Sequence, residues 1–269
     1  MSNLNKPQIQ VAKLPLKYKF RGLESREFAY FRGQFGLGEF SPFIEYSKIE
    51  ATTWFKAGWE AANTDRNLII KNFVRDKVPI NITVPEIQIN EIESLLQKFS
   101  GCHVIKLKVN AFENIKPIIV ELIKQVPNSK FRLDVNGGWS VKEAESAVAR
   151  IIERVGIEKI EYIEQPVATL EELRELDLPI SVVGDEVIRK SEDPFAVDLN
   201  GAVDILMLKV SPLGGINRAK AIAAHHKLPV VVSSALESAV GISHGIKLAA
   251  SLPELNYACG LGTGKLLSN

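Results

Sequence analysis

"HVIKLKVN" (residues 103–110) is the stretch on which the fold turns. Its valine, isoleucine and leucine read as a buried strand, yet it carries Lys106 and Lys108. Two residues apart in a strand, both side chains point to the same face. Lysine is almost never fully buried without a partner, so an inward-looking face must hold groups that receive two ammonium ions. Those groups have to come from other strands.

Similar short apolar runs recur from about residue 78: "VPINITVP" (78–85), "HVIKLKV" (103–109), "KFRLDVNG" (130–137), "KIEYIEQP" (159–166), "PISVVGDE" (179–186), "VDILMLKVSP" (203–212), "LPVVVSSALES" (228–238) and "YACGLGTG" (257–264). Amphipathic stretches separate them. "SVKEAESAVARIIERVG" (140–156) has a serine, a glutamate three residues on and a closing glycine, which predict a capped helix. "NRAKAIAAHHKL" (217–228) and "SAVGISHGIKLAASLP" (238–253) predict two more.

Strands alternating with helices predict a parallel α/β architecture. Eight of them favour a closed (β/α)8-type barrel, its last unit modified, over an open doubly wound sheet. No G-x-G-x-x-G or Walker sequence follows the first strand. The "GLGTG" at 260–264 comes after the last one and reads as a tight, backbone-exposing loop. Residues 1–77 differ in rhythm. "IQVAKLPLKYKF" (9–20) and "REFAYFRGQFGLGEFSPF" (26–43) alternate like strands, and "SKIEATTWFKAGWEAANT" (47–64) has helical spacing. The expected organisation is a small N-terminal α+β capping domain (1–77), with Trp54 and Trp59 in its core, and a barrel domain (78–269).

The chain has 269 residues, 46% of them hydrophobic, with 33 basic and 32 acidic residues and a formal net charge of +1. That balance argues against a nucleic-acid-binding or polybasic membrane-surface protein. Cys102 and Cys259 stand far apart without metal-type spacing, which fits a reducing compartment. The opening "MSNLNKPQIQ" has no apolar signal core, and no apolar run approaches the roughly 18 residues of a membrane span. The expectation is a soluble cytoplasmic protein acting on a small molecule, with no nucleic-acid or membrane partner. A monomer is compatible with the sequence, which does not fix the oligomeric state.

Barrels of this kind place their chemistry at the C-terminal ends of the strands. The charged residues there are Lys106 and Lys108, then Asp134, Glu164, Asp185 with Glu186, and Lys209. Each is embedded in an apolar strand, precedes a turn signal and lies about one βα unit from the next. They should therefore be neighbours round one rim. Three carboxylates in a low-dielectric mouth resist ionisation. A divalent cation removes that difficulty, and all-oxygen ligands favour a hard ion, Mg2+ or Mn2+. Lysines beside it feel a positive field and partial desolvation, which lower an ammonium pKa and suit a general base. Such a site fits proton removal next to a carboxylate, with the enediolate charge stabilised where it develops.

Each position also has an ordinary reading. Strand-end acids can be helix caps, and the stem of Lys106 can snorkel. Glu186 can pair merely with Arg189 or Lys190, and Ser234 can be a plain strand-end hydroxyl. Three carboxylates on consecutive strands with flanking lysines favour the site. His225, His226 and His244 fall on expected helices and His103 at the wrong end of its strand, so no histidine is assigned to chemistry.

As an ordered set, "KLKV", "LDVNGGW", "YIEQP", "VGDE", "LKVSPLGG" and "SSALESAVG" resemble the enolase superfamily in its muconate-lactonising branch. A lysine base with Mg2+ on an ene-diolate is a known arrangement of that superfamily. "GEFSPFIEY" (38–46) and "SSALESAVG" (233–241) look most like the o-succinylbenzoate synthases of menaquinone biosynthesis, and the resemblance covers nearly the whole chain. It implies Lys108 as the base and Lys209 as the electrostatic stabiliser on the opposite face. It implies Lys106, Ser234 and Gly262 at the substrate, and Asp134, Glu164 and Asp185 on one Mg2+. Asn136 and Glu186 would orient those ligands. The implied reaction is syn dehydration of 2-succinyl-6-hydroxy-2,4-cyclohexadiene-1-carboxylate to 2-succinylbenzoate. N-succinylamino acid racemisation or muconate-type cycloisomerisation stands as the alternative. The chain is shorter than many relatives, with only "KLLSN" after the last glycine loop. Substrate choice would then fall to "RGLESREF" (21–28) and "GEFSPFIEY".

Overall fold

The computed structural model describes residues 8–268; the expectation placed on the first seven residues lies outside them. The alternating N-terminal segments form a three-stranded antiparallel sheet, β1 (Ile9–Phe20), β2 (Leu23–Arg32) and β3 (Leu37–Phe40). Arg21 and Gly22 join β1 to β2 with φ of 53° and 74°, the left-handed pair that a two-residue hairpin turn needs. Helix α1 (Lys48–Asn63) begins in a capping box between Ser47 and Glu50. It packs on β3 at backbone distance: a Cβ on Gly38 would run into the Gly58 carbonyl, and one on Gly58 into the Glu39 carbonyl. A short helix, α2 (Arg66–Ile70), follows.

Trp54 is 1% exposed, as a core residue should be, but Trp59 is 50% exposed and stacks on Phe31 and Phe55 at the rim of the sheet. The expectation that both lie in the core fails for Trp59 because of helical phase. Five residues carry Trp59 well round the helix from Trp54, and the sheet covers only one face.

The rest alternates: β4 (Ile82–Val84), α3 (Ile92–Gln97), β5 (Val104–Lys108), α4 (Phe112–Gln125), β6 (Lys130–Asp134), α5 (Val141–Val155), β7 (Ile160–Glu164), α6 (Leu170–Glu175), β8 (Val182–Gly184), α7 (Glu186–Arg189), β9 (Ile205–Lys209), α8 (Val210–Leu213), α9 (Ile216–His226), β10 (Val230–Ser233) and α10 (Ala239–Ser251). The seven strands β4–β10 are parallel neighbours in chain order. Helix α5 has the expected capping box, Ser140 with Glu143, and ends at Gly156 with φ of 86°.

Two residues close the ring. Cys259 bridges to Ile80 beside β4, and Gly260 bridges to Ser233 at the end of β10. Asn81 N donates to Cys259 O at 2.9 Å, and Gly260 N to Val232 O at 2.8 Å. The eighth expected strand thus shrinks to Cys259–Gly260, followed by a 3-10 turn, Thr263–Leu266, and an antiparallel bridge of Leu267 to Leu16. A Cβ on Gly260 would collide with the Ser233 side chain, so closure there is made by backbone. The run 203–212 is likewise shorter as a strand than its apolarity suggests, because Val210–Leu213 turns into α8.

Alternation along β5 answers the opening puzzle in outline. Ile105 and Leu107 join the large apolar core, while Lys106 and Lys108 take the other face. Below the rim, Arg132 and Tyr162 share faces with Asp134 and Glu164 two residues on. Arg132 is fully buried, donates to Asn81 Oδ1 at 3.2 Å and Ala258 O at 2.5 Å, pairs with Glu161 and stacks over the Tyr162 ring. It ties β4, β6, β7 and the closing segment together. Among the described residues no helix is long and apolar enough to cross a membrane, and Cys102 and Cys259 are both free.

The close approach of α1 to β3 is directly testable. Gly58→Ala should destabilise by about 1–3 kcal/mol through overpacking, a melting temperature lower by several degrees. Gly36→Ala, where a Cβ meets nothing within 4 Å, should leave it unchanged. Equal melting temperatures would contradict the tight contact.

Candidate active site

Parallel register sets the rim. Lys108 lies opposite Asp134, Asp134 opposite Glu164, and Ser233 opposite Lys209. Side chains that end successive strands at matched heights must converge, and these do. The Lys106 ammonium lies 2.9 Å from Asp134 Oδ2 and 2.5 Å from Glu164 Oε2. The Lys209 ammonium lies 2.6 Å from Asp185 Oδ2 and 3.5 Å from Glu164 Oε1. Glu164 therefore sits between two ammonium groups, each shared with a flanking aspartate.

The ordinary readings fare differently. Lys106 is 8% exposed with a buried, paired head, which excludes snorkelling. Asp185 occupies the N-cap position of α7 but makes no capping hydrogen bond; its oxygens go to Lys209 and, at 3.0 Å, to Arg189 Nε. Glu186 does pair with Arg189, and it also accepts from Asn136 Nδ2 at 3.3 Å. Ser234 donates to Gly260 O at 2.7 Å and contacts Thr263 Oγ1, and it lines the mouth. On the last loop Thr263 lines the mouth, while a Cβ on Gly262 would meet Phe99 and the Asn81 carbonyl.

The three lysines differ in electrostatics. Burial pulls Lys106 down, but Asp134 and Glu164 outweigh it and hold its pKa above the ordinary lysine value. Lys209 is raised in the same way, Asp185 and Glu164 overcoming burial. Lys108 goes the opposite way. Burial, aided by Arg21 and Lys106 and opposed by Asp134, leaves it below the ordinary value. Among the described residues it has no ion pair. Burial, with Asp134 beside it, pushes Glu164 up to about 7. Burial also opposes ionisation of Asp185, but Arg189 and Lys209 hold it below the usual carboxylate range.

Whether a cation fits here can be asked of the oxygens. Asp134 Oδ1 and both Glu164 oxygens are buried without a donor in hydrogen-bond geometry, although Glu164 has its ion pairs. The donor set is all carboxylate, which suits a hard divalent ion. As they stand, no three His, Cys, Asp or Glu side chains among the described residues are grouped to hold a metal. Ammonium groups lie between the carboxylates and neutralise them. The residues fit the cation in kind, and binding it requires the lysines to yield those oxygens.

The mouth is lined further by Phe20, Arg21, Phe43 and Tyr46 of the N-terminal unit and by Thr83 and Arg189. Sequence reasoning had Arg21, Phe43 and Tyr46 within the two segments expected to govern substrate choice but missed Phe20 and Thr83, whose positions carry no distinguishing signal. It also missed Gln165. Fully buried with φ of 41°, Gln165 accepts from the Asp185 and Val187 amides at 3.1 and 3.3 Å and donates to Val167 O at 2.9 Å. It fixes the backbone that presents Asp185.

A buried acid stands behind the wall formed by Ser233, Ser234, Ala235 and Leu236. Glu237 is 3% exposed and accepts from the Ala235 amide at 2.5 Å; burial, with Glu39 nearby, pushes it up to about 7. Its folded pKa thus exceeds the unfolded value of about 4.3. The associated stability is full below that value and is lost as pH rises through about 7, amounting to about 4 kcal/mol. Glu237→Gln keeps the acceptor and cannot ionise. It should melt several degrees higher than the wild type at pH 8, with the gain shrinking at pH 5; a pH-independent difference would contradict this.

With this geometry in hand, the chain can be set against known proteins. Residues 91–266 match the enolase C-terminal domain-like family and residues 11–62 the enolase N-terminal domain-like family. The chain is 43% identical over 270 residues to the o-succinylbenzoate synthase of Mycobacterium leprae, covering 96% of this chain and 77% of that one. It is 43% identical over 265 residues to that of Mycolicibacterium smegmatis, covering 96% and 80%. Among solved structures, muconate lactonizing enzyme from Pseudomonas fluorescens superposes with a TM-score of 0.81 at 20% identity, covering 98% of this chain and 89% of that one. L-Ala-D/L-Glu epimerase from Bacillus subtilis does so with 0.79 at 23%, covering 98% and 91%. These two speak for the fold alone. Two matched domains and close kinship over almost the whole length place the chain in the enolase superfamily, as a member of its o-succinylbenzoate synthase family.

Proposed function

We propose that this chain is an o-succinylbenzoate synthase, a lyase that removes water from 2-succinyl-6-hydroxy-2,4-cyclohexadiene-1-carboxylate to give 2-succinylbenzoate. The observation that carries the mechanism is the inequality of the lysines. Lys108 alone lacks a carboxylate partner and has a depressed pKa, while Lys106 and Lys209 are held as ammonium ions.

Lys108 takes the proton from the carbon bearing the substrate carboxylate. The electrons move onto that carboxylate as an enediolate. Lys209 and Lys106 lie where that charge grows and stabilise it. Collapse of the enediolate expels the hydroxyl group, which receives the proton back from Lys108 and leaves as water. The ring becomes aromatic, so the step is downhill and the enzyme has mainly to lower the carbon-acid barrier. Family membership implies a divalent cation. We take it to be Mg2+, held by Asp134, Glu164 and Asp185, where it supplies Lewis-acid polarisation of the substrate carboxylate. Asn136, Glu186 and Arg189 orient that set. We further read the protein as cytoplasmic and as acting on a small carboxylate without nucleic acid or membrane; its free thiols support a reducing compartment.

A single free base favours dehydration over 1,1-proton transfer, which needs Lys209 to exchange a proton as well. Lys108→Ala should keep its circular dichroism and lose turnover at least a thousandfold, and Lys209→Ala should behave likewise. In the wild type, kcat/KM should rise with pH through a pKa below the ordinary lysine value, because the base must be neutral. Normal turnover in Lys108→Ala would overturn the base assignment. Rapid solvent exchange of the α-hydrogen of an N-succinylamino acid would shift the reading to the racemase.

A further inference from the structure

"GEFSPFIEY" and "SSALESAVG" lie nearly 200 residues apart, and in the fold they are two halves of one hydrogen-bond network. Glu39, on β3, is 4% exposed. Its Oε1 accepts from Ser41 Oγ at 2.7 Å and from Ser238 N at 3.2 Å. Its Oε2 accepts from Ser238 Oγ at 2.5 Å and from Gly241 N at 2.8 Å. Three of these four donors belong to Ser238 and Gly241 at the start of α10, whose first amides have no partner within the helix. A carboxylate from the other unit thus completes the cap that Ser238 begins at Val240 N. Gly241 makes room for it, since a Cβ there would lie 2.5 Å from Glu237 Cβ and 3.1 Å from Glu39 Oε1.

Arg26, on β2, grips the same loop from another side. It is also 4% exposed, and it donates to Leu236 O at 3.4 Å, to Pro42 O at 3.3 Å and to Ser41 O. Leu236 has φ of 61°, a conformation that disfavours a residue with a Cβ and persists only where its surroundings impose it. The gripped loop is the cavity wall made of Ser234, Ala235 and Leu236, facing Lys106, Lys108 and Lys209. Neither Glu39 nor Arg26 lines that cavity.

We propose that Glu39 and Arg26 are positioning residues for the substrate: the N-terminal sheet clamps the Ser234–Ser238 loop and thereby sets where the substrate wall stands relative to the lysines. The kinetic part of this rests on the dehydration reading; the clamp itself does not. Because none of Ser234, Ala235 and Leu236 takes part in the proposed proton transfer, moving the wall removes binding felt equally in ground and transition states. Substrate affinity should therefore suffer more than the chemical step.

The test is Glu39→Gln, which keeps size but turns an amide donor towards the donors of Ser238 and Gly241. Three readouts are expected together: KM at least tenfold higher with kcat within threefold, a Kd for 2-succinylbenzoate weakened by a similar factor in calorimetry, and faster hydrogen exchange confined to residues 234–241. Ser238→Ala should give a smaller version, and the double variant should be no worse than Glu39→Gln alone. If Glu39→Gln does not fold, Ser238→Ala and Arg26→Lys read the same quantities. A lowered melting temperature with unchanged KM, Kd and loop exchange would overturn the proposal. If the wild type neither turns over the cyclohexadiene nor binds the product, the reaction reading fails, and loop exchange alone decides the clamp.

Discussion

Three buried carboxylates brought to the ends of adjacent parallel strands form the constraint on which the rest of the site depends. Asp134, Glu164 and Asp185 are all at most 8% exposed. Charges so placed repel one another and lose their hydration, and removal of a single partner from such a set costs about 3–5 kcal/mol. The protein answers with Lys106 and Lys209 from neighbouring strands and Arg189 from helix α7. The paired lysines of β5 are then no anomaly. Lys106 neutralises, and Lys108, one step nearer the rim, has no ion pair among the described residues and in the proposed mechanism accepts the proton. Such an arrangement adds little net stability. In the proposed mechanism its value is chemical, because fixed charges stand where a dianion would form.

Much of this was legible in the chain. Parallel strands in matched register turn a repeating sequence rhythm into a ring of side chains, so strand-end residues one βα unit apart had to meet. What the pattern could not give was the competition within the ring. Sequence spacing treats a carboxylate as a free ligand, whereas Glu164 lies between two ammonium groups. Nor could it reveal Gln165, whose part depends on a left-handed backbone and a reach across to the Asp185 amide. The eighth strand was legible as a segment but not as bridges of two residues, since closure at Gly260 is a backbone contact that side-chain patterns do not encode. Trp59 was misplaced for a related reason: a residue type announces burial, but the phase of a helix decides what it faces.

The N-terminal sheet is more than a lid. Tyr46 receives Arg189 at 2.7 Å, Glu39 caps α10, Arg26 holds the Leu236 carbonyl, and the Arg21 hairpin tip lines the same mouth as Lys108. Each contact crosses from the antiparallel unit to a strand end or loop of the barrel. The substrate wall and the orientation of the carboxylate ring are therefore set jointly by both units.

The account stands or falls on carboxylates and lysines acting together on one substrate. The most direct measurement follows the diene absorbance of 2-succinyl-6-hydroxy-2,4-cyclohexadiene-1-carboxylate with purified protein, first in Mg2+ and then after chelation. The account predicts fast loss of absorbance that stops with chelator and returns when Mg2+ is restored. Turnover that is indifferent to chelation, or none in Mg2+, would contradict it.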